Sequence, residues 1–430
     1  MANSLPPPYK PRRYEVMTEV IVPYGSTEET VTLDGTVETV LAYPGDFVER
    51  ISSDSIVESI EKPLGKPPLR QFLSNSKNLL VVVNDGTRRT PTAQILELIS
   101  PLLEKTSFRV LIACGSHQRP RPREVTRILG KNYANLSTRV IVHDSKRTEG
   151  MVYLGRTRRG TELSINSLAI ESDRILVITS VEPHYFAGFM GGRKSLVPGI
   201  SSYSTIVQNH RLALHSMAKA FSLHRNPVNN DMMEIFNYLS EDKVFSIQLL
   251  QDRGGKITEV FSGDIQKTFS LLTESTRRLY GVKTGRRADI LVSIVSDGEL
   301  SLYESRKAIH YGILGLRKGG ILIVVSPCAR GLGSSHFIEP ISASRTPQHL
   351  INKVHEDFQL GHQRLAKWVD ALLWGEVWLV SDLPERSVTD LFLRPYHSVS
   401  AALKDAIRSK GMSSKVVFVF DGATTVPLTS

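Results

Sequence analysis

The chain has 430 residues, of which 41% are hydrophobic and 22% charged, and its formal net charge is +10. This is ordinary globular composition, long enough for two or three domains. No apolar run reaches the length of a membrane span, no apolar leader follows the N-terminus, and Cys114 and Cys328 stand too far apart for a disulfide framework or a CxxC zinc site. These features predict a cytoplasmic protein without a membrane partner.

The excess of basic residues attracts anions of any kind. The basic residues are scattered, however, and the densest groups, at 117–127 and 156–160, are not interleaved with aromatic side chains as in single-strand binders. No helix-turn-helix or zinc-finger pattern is visible. We therefore expect a solvated basic surface and no nucleic-acid partner, while the oligomeric state stays open, a homodimer included.

The predicted elements begin after a Pro-rich stretch of about 12 residues. Residues 14–42 alternate between apolar and polar positions, which predicts a small antiparallel start. Short Val/Ile/Leu runs follow at 78–85, 108–117, 138–145 and 173–184, with helical stretches between them. Such runs are typical of parallel strands buried on both faces, so they predict an α/β domain with a mostly parallel sheet.

A polar helical region is predicted at 203–242 and a hairpin around a Gly-Gly turn at 244–264. A second α/β series follows, with strands at 288–298, 319–327, 376–383 and 415–427. We therefore expect an α/β fold of two domains, residues 1–270 and 271–430, each with a mostly parallel sheet flanked by helices. Because ligands bind outside the carboxyl ends of such strands, we expect the active site in the cleft between the domains.

The first candidate site is NDGTRRTP, residues 84–91, which directly follows a predicted strand. Asp85 and Arg88 lie in a glycine-containing turn, before a helix predicted to begin after Pro91. Backbone N–H groups there, together with the arginine fork, suit a carboxylate or a phosphate. An Asp–Arg pair that caps the helix is the alternative.

The second candidate is His117 in CGSHQRP, which again lies just past a predicted strand. Its imidazole titrates near neutral pH and can therefore take and return a proton. A loop histidine without a role is the alternative.

The third candidate is the glycine-rich segment from His184 to His210, in which Lys194 follows the pair Gly191-Gly192. The glycines let the chain approach a ligand closely. A lysine in partly apolar surroundings has a lowered pKa, which leaves its amine nucleophilic. The alternative is a glycine-rich phosphate loop in which Lys194 is an ordinary point charge.

The fourth candidate, SDGELSLYESRKAIHYG at 296–312, follows the first predicted strand of the second domain. Tyr303 and Lys307 are four residues apart, so they share a helix face that could look into a cleft. An amphipathic surface helix is the alternative.

Together these motifs resemble those of the nickel-dependent lactate racemase family, over most of the chain. The shared features are the D-x-x-R of NDGTRRTP, the histidine of CGSH, the EPH…GG.K…PG…NH block from Glu182 to His210, and LYESRK at 302–307, in the same order. That family carries a nickel pincer nucleotide, a pyridinium mononucleotide with two thiocarboxylate-type arms. The resemblance implies an isomerase, a racemase or epimerase, acting on a small-molecule 2-hydroxy acid.

By this resemblance Lys194 binds the cofactor covalently as a thioamide and His210 is the protein's ligand to nickel, a set of soft donors that suits square-planar Ni(II). Hydride leaves the substrate Cα and returns to its other face, while His117 and His184 serve as the two bases for the hydroxyl proton. The other implied cofactor-binding residues are Asp85, Gly191 and Gly192, and the implied substrate-binding residues are Arg88, Tyr303, Glu304 and Lys307.

One departure from the family pattern concerns the substrate. Glu304 stands where the lactate enzymes have Gln, and an added carboxylate would disfavour an anionic substrate tail, so we expect a substrate other than plain lactate. Two further functions stay open: a protein that binds or carries the pincer cofactor without epimerase activity, and a nucleotide- or nucleic-acid-binding α/β protein. The first needs only Lys194 and His210, and the second leaves the ordered histidines unexplained.

Overall fold

The structure is a computed structural model that describes residues 18–45, 50–298 and 300–430. The Pro-rich stretch and the first residues of the predicted antiparallel start lie outside the described residues. Within them, the strands are β1 Thr18–Tyr24, β2 Thr27–Leu33, β3 Glu38–Ala42, β4 Leu79–Asn84, β5 Phe108–Ala113, β6 Val140–Val142, β7 Met151–Arg156, β8 Glu162–Asn166, β9 Arg174–Ser180, β10 Pro183–His184, β11 Gly188–Phe189, β12 Val244–Gln251, β13 Ile257–Gly263, β14 Gly281–Gly285, β15 Ala288–Ile294, β16 Leu316–Val325, β17 Glu376–Val380, β18 Arg394–Tyr396, β19 Lys415–Val419 and β20 Val426–Thr429.

The α-helices of the same residues are α1 Ser53–Glu61, α2 Leu69–Leu73, α3 Thr92–Leu103, α4 Pro122–Leu129, α5 Tyr133–Leu136, α6 Ser167–Glu171, α7 Tyr203–Arg211, α8 Pro227–Phe236, α9 Ile265–Tyr280, α10 Leu302–Gly315, α11 Ser335–Ser342, α12 Pro347–Glu356, α13 His362–Trp374, α14 Glu385–Thr389 and α15 Val399–Lys410. Short 3-10 helices lie at Gly130–Asn132, Ser137–Arg139, Gly192–Ser195, Leu212–Leu214 and Glu241–Lys243. None of the helices in this described part of the chain is long and apolar enough to span a membrane.

The chain forms two compact units, a central unit, Phe47–Arg277, and a terminal unit, Met1–Asp46 with Arg278–Ser430. The sheet of the central unit has the order β13-β12-β9-β4-β5-β6, and its strands are parallel except for the antiparallel pair β12–β13. The predicted parallel sheet and the predicted hairpin are therefore confirmed. The chain runs outward from β4 through β5 to β6 and returns to β9 on the other side of β4, which makes the β4–β9 boundary a topological switch point.

Apolar side chains cover both faces of the central sheet, as the continuous Val/Ile/Leu runs indicate. Ile56 of α1 and Ile95 of α3 are fully buried on one face, and Val228 and Met232 of α8 are fully buried on the other. Every residue of β4 is buried. This packing holds the carboxyl ends of β4, β5 and β9 at one edge of the sheet, where functional side chains follow them.

The sheet of the terminal unit is parallel throughout its order β18-β17-β16-β15-β19-β3. The antiparallel start is confirmed for β1 and β2, which pair with each other. β3 differs, because it runs parallel to β19, with Glu38 opposite Lys415 and Ala42 opposite Val419. Its backbone completes the edge of that sheet, and residues 1–46 therefore group with 278–430 instead of lying in a domain of residues 1–270.

Candidate functional site

A pocket lies in the central unit where β4, β5 and β9 end, and we call it the strand-end pocket. Its cavity measures about 70 Å³, room for only a few water molecules. It brings together six residues singled out from the sequence: Asp85, Arg88, His117, Gly191, Lys194 and His210. His184 and Gly192 are not among its lining residues.

Asp85 and His117 form a hydrogen-bonded pair across the ends of β4 and β5. Oδ2 of Asp85 lies 2.6 Å from Nδ1 of His117, and Oδ1 accepts hydrogen bonds from the backbone N–H and the hydroxyl of Thr87. Burial acts to raise the pKa of Asp85, but the bond and charge of His117, the Thr87 hydroxyl and the charge of Arg88 outweigh it and lower the pKa. Asp85 is therefore an anion that holds one ring nitrogen of His117 and leaves Nε2 available.

This arrangement decides between the alternatives for the turn after β4. Helix α3 begins at Thr92, as predicted, but its N-cap residue is Pro91, and no side chain caps it. The interpretation of Asp85 and Arg88 as a helix-capping pair is therefore wrong. Arg88 instead lines the strand-end pocket, so its guanidinium is placed to meet an anion there.

Lys194 lies in the 3-10 helix Gly192–Ser195 and lines the same pocket. The pKa of Lys194 is lowered from 10.5 to about 7, chiefly by its removal from water and also by the positive charges of Arg88 and Arg193, while the carboxylate of Asp85 acts in the opposite direction. At neutral pH a large fraction of this amine is unprotonated and therefore nucleophilic.

Different structural features require glycine at the two positions before Lys194. Gly191 has φ +81°, and a Cβ there would lie 2.7 Å from the carbonyl oxygen of Ser180, at the end of β9. Gly192 has φ +53°, and its Cβ would lie 2.8 Å from the ring of Phe269. Gly191 lines the strand-end pocket, whereas Gly192 is explained by packing against Phe269.

His210 reaches the pocket from the last turn of α7, where it is 8% exposed. Ser202 caps this helix by accepting a hydrogen bond from the backbone N–H of Thr205. The neighbouring Asn209 is fully buried and donates a hydrogen bond of 2.8 Å to Asp231 of α8. Asn209 therefore anchors the helix end that carries the imidazole of His210.

His184 is 9% exposed and lies in the short hairpin β10–β11. Its Nδ1 accepts a hydrogen bond of 3.1 Å from the backbone N–H of Ala187, and Phe186 packs edge-on against its ring. A neutral imidazole that accepts at Nδ1 carries its proton on Nε2. Nε2 of His184 is therefore a hydrogen-bond donor, whereas Nε2 of His117 is an acceptor.

The LYESRK motif forms the start of α10 in the terminal unit, and most of this helix is buried. The interpretation as an amphipathic surface helix is therefore wrong. Glu304 is the third helical residue, and its carboxylate accepts from the backbone N–H and hydroxyl of Ser301 in a capping box and pairs with Arg330 at 2.9 Å. Tyr303 lies under the guanidinium of Arg306, 3.9 Å away, and Lys307 is exposed.

Sequence reasoning did not single out several other lining residues of the strand-end pocket: Asn84, Cys114, Thr179 and Ser195. Asn84 donates hydrogen bonds to Thr90 and Thr179, which ties the turn after β4 to β9. Burial raises the pKa of the Cys114 thiol to about 12, so it is neutral. Asn84, Cys114 and Thr179 lie within the carboxyl-terminal parts of predicted strands and Ser195 directly follows Lys194, and these positions were the available signal.

Comparison with known proteins gives matches over almost the whole chain. The model of the lactate racemase N-terminal domain matches residues 24–222, and that of the lactate racemase C-terminal domain matches residues 284–426. A lactate racemase from Thermoanaerobacterium thermosaccharolyticum is 29% identical over 428 residues, 95% of this chain and 99% of the relative. One from Lactiplantibacillus plantarum is 24% identical over 424 residues, 94% and 99% of the two chains.

The fold agrees with these matches. The structure of the lactate racemase apoprotein from T. thermosaccharolyticum superposes with a TM-score of 0.86 at 26% identity and covers 96% of this chain and 100% of its own. The resemblance in the motifs is thereby confirmed. The chain belongs to the lactate racemase family.

Proposed function

We propose that this protein racemises or epimerises a 2-hydroxy acid at the strand-end pocket. The observation that carries the proposal is the Asp85–His117 pair in one pocket with Lys194, Arg88 and His210. An oriented acid–base group, a nucleophilic amine and a carboxylate-binding arginine are the parts such a reaction needs. The relatives that match the chain are named lactate racemases, which supports the substrate class.

His117 is proposed to take the hydroxyl proton of one enantiomer. Because Nδ1 of His117 donates to the Asp85 carboxylate, Nε2 holds the lone pair that accepts a proton, and the anion stabilises the imidazolium that forms. Arg88 is proposed to bind the substrate carboxylate through its guanidinium fork, and Lys307 of α10 is proposed as the second carboxylate ligand.

We further propose that Lys194 holds a nickel pincer nucleotide covalently and that His210 is its protein ligand to nickel. The residues fit such a group: the pKa of Lys194 near 7 supplies an unprotonated amine, and a buried imidazole is a good nickel donor. When bound, the cofactor supplies the hydride acceptor that these side chains lack.

His184 is proposed as the second acid–base group, for the other enantiomer. In the present arrangement Nδ1 of His184 accepts the hydrogen bond from the Ala187 N–H, and Nε2 carries the proton. His184 can therefore donate a hydrogen bond from Nε2, but Nε2 cannot take a proton. Proton transfer at His184 therefore requires the Ala187 bond to be exchanged. Replacing His184 by Asn tests this role: racemisation should be lost if His184 transfers a proton, and unchanged rates in both directions would remove it from the mechanism.

We propose a substrate other than plain lactate, on the ground of Glu304. The capping box and Arg330 already engage this carboxylate, and Gln can occupy the same capping position, so Glu304→Gln is a conservative test. If Glu304 faces the substrate, gluconate is turned over in preference to malate, and Glu304→Gln reduces that preference. Preferred turnover of malate by the unaltered protein would rule out this role of Glu304 in substrate choice.

Two measurements test the function as a whole, on protein made in a host that builds the cofactor. Intact mass and metal content should show an adduct with nickel that is lost in Lys194→Ala. An enantiopure 2-hydroxy acid deuterated at Cα should racemise in ordinary water while it keeps its deuterium, because hydride transfer does not exchange with solvent. Loss of the deuterium to solvent would indicate proton abstraction instead of hydride transfer. Absence of both adduct and nickel would overturn the cofactor assignment.

A cofactor carrier without epimerase activity is the other candidate function. It would use Lys194 and His210 and would give the Asp85–His117 pair no task. A nickel-loaded protein that leaves every tested enantiopure 2-hydroxy acid optically unchanged would favour it.

A further inference from the structure

A second cavity, of about 500 Å³, lies in the central unit and shares no lining residue with the strand-end pocket. We call it the Arg193 cavity. Its lining includes two arginines, three aromatic rings and an exposed serine: Arg193, Arg277, Phe189, Phe221, Phe269 and Ser270. Its volume is in the range of small-molecule sites.

Arg193 is a buried cation with incomplete hydrogen bonding. It is 2% exposed, and its guanidinium lies 4.3 Å from the ring centroid of Phe269. Its NηH₂ groups donate to neutral oxygens only, the side chain of Asn229 and the backbone carbonyls of Ala187 and Gly191. Its Nε–H has no hydrogen-bond partner in the described part of the chain.

Arg277 lines the same cavity but is exposed, and its side chain also lies against an aromatic ring. Its guanidinium lies 4.9 Å from the ring centroid of Phe221 and donates to the carbonyl oxygen of the same residue at 2.6 Å. The ring of Phe189 stacks on that of Phe221, so aromatic faces and guanidinium groups alternate along the wall.

Neither arginine has a counter-ion among the residues that the structure describes. Over residues 18–45, 50–298 and 300–430, no carboxylate pairs with Arg193 or Arg277, and burial alone lowers the pKa of Arg193, to about 9. Arg193 is therefore still a cation at neutral pH. A buried charge is costly without a partner, so an anion in the cavity would satisfy what the chain itself does not supply.

We propose that the Arg193 cavity binds a small carboxylate with an apolar or aromatic body. The guanidinium forks suit the two carboxylate oxygens, and the rings of Phe189, Phe221 and Phe269 suit the body. Glu274 also lines the cavity, which disfavours a dianion such as phosphate. Binding at this site requires neither nickel nor a contact with Lys194.

The test is equilibrium binding of 4-fluorophenylacetate to the full-length chain without cofactor, followed by fluorine NMR. We expect saturable binding with a Kd of about 1 mM or tighter. Arg277→Gln should weaken it at least about tenfold, because a charge-assisted hydrogen bond is lost. Ser270→Trp should do the same by filling the cavity from an exposed position, whereas its neighbour Leu271→Trp, 40% exposed and outside the lining, should change Kd less than about twofold.

Arg88→Gln separates this site from the strand-end pocket and should change the Kd less than about twofold. Loss of binding in Arg88→Gln but not in Arg277→Gln would overturn the proposal, as would equal binding by Ser270→Trp and Leu271→Trp. Inorganic phosphate that displaces the probe at lower concentration than acetate would overturn the assignment to carboxylates. Because no step uses nickel, a failed racemase assay leaves these outcomes unaffected.

Discussion

Oδ2 of Asp85 lies 2.6 Å from Nδ1 of His117, so two residues from the ends of neighbouring strands act as one group. Since β4 and β5 are parallel and in register, with Asn84 opposite Ala113, the turns that follow them emerge side by side. The pair is the central element of the proposed acid–base chemistry.

The first prediction concerns this pair. Asp85→Asn removes the anion that fixes the tautomer of His117 and stabilises its protonated form, so kcat for racemisation should fall by about 10²- to 10⁴-fold. Initial rates of loss of optical rotation on the nickel-loaded protein measure the effect. Glu97→Gln, which breaks an exposed ion pair with Lys131, is the control and should leave kcat within about twofold. An Asp85→Asn variant as active as the control would contradict the assigned role.

The second prediction concerns stability against acid. The folded-state pKa of Asp85 is lowered, so its carboxylate contributes stability that is complete above its unfolded pKa of about 3.9 and is lost as the pH falls through the folded value. The difference in urea midpoint between the unaltered protein and Asp85→Asn should therefore be constant near neutral pH and shrink below about pH 4. A difference that stays the same down to pH 3 would show that the charge of Asp85 does not matter to folding.

The third prediction concerns the amine of Lys194. Because burial lowers its pKa to about 7, competitive acetylation of the cofactor-free protein should reach half its maximal rate near pH 7 at this residue. The same lysine in an unfolded peptide should do so near pH 10.4, to within about half a unit. Arg88→Gln removes one of the repelling charges and should move the midpoint at Lys194 upward. Labelling is read by mass spectrometry, and a midpoint near 10 in the folded chain would rule out the nucleophilic amine.

The fourth prediction separates backbone strain from close contact at Gly191. Gly191→Ala places a Cβ 2.7 Å from the Ser180 carbonyl oxygen at φ +81°, whereas Gly160→Ala has nearly the same φ, +87°, and nothing within 4 Å. Both should lose about 1 kcal/mol of unfolding free energy because a residue with a Cβ disfavours the positive φ. Gly191→Ala should lose about 1–3 kcal/mol more because of the contact. Urea unfolding measures the free energy of unfolding of the two variants. Equal losses would mean that the end of β9 moves away from the added Cβ without a loss of stability.

Much of the site follows from local sequence patterns. Val/Ile/Leu runs of strand length predict β4, β5 and β9, and the rule that ligands bind beyond parallel strand ends selects Asp85, Arg88 and His117. The helix that carries His210 follows from local signals as well. These features depend on residues close together in the chain.

The placement of β3, in contrast, depends on a contact between distant residues. Nothing in Glu38–Ala42 indicates that its partner is β19, more than 370 residues away, because a short edge strand has the same pattern whichever sheet it joins. The bond from Ala187 to His184 spans three residues but depends on backbone geometry that residue types alone do not specify. The capping box of Glu304, by contrast, has the S-x-x-E spacing at 301–304 that is typical of this motif. The motif resemblance identified the family but not these local arrangements.

One peptide unit joins Arg193 to Lys194, and the two side chains line different cavities. The positive charge of Arg193 lowers the proton affinity of the Lys194 amine, so an anion that screens Arg193 raises the proton affinity of that amine. Thermodynamic reciprocity then requires the protonated form of Lys194 to bind that anion more tightly, by the same factor. The short 3-10 helix Gly192–Ser195 therefore couples the two cavities. Binding of an anion in the Arg193 cavity changes the protonation of Lys194 in the strand-end pocket.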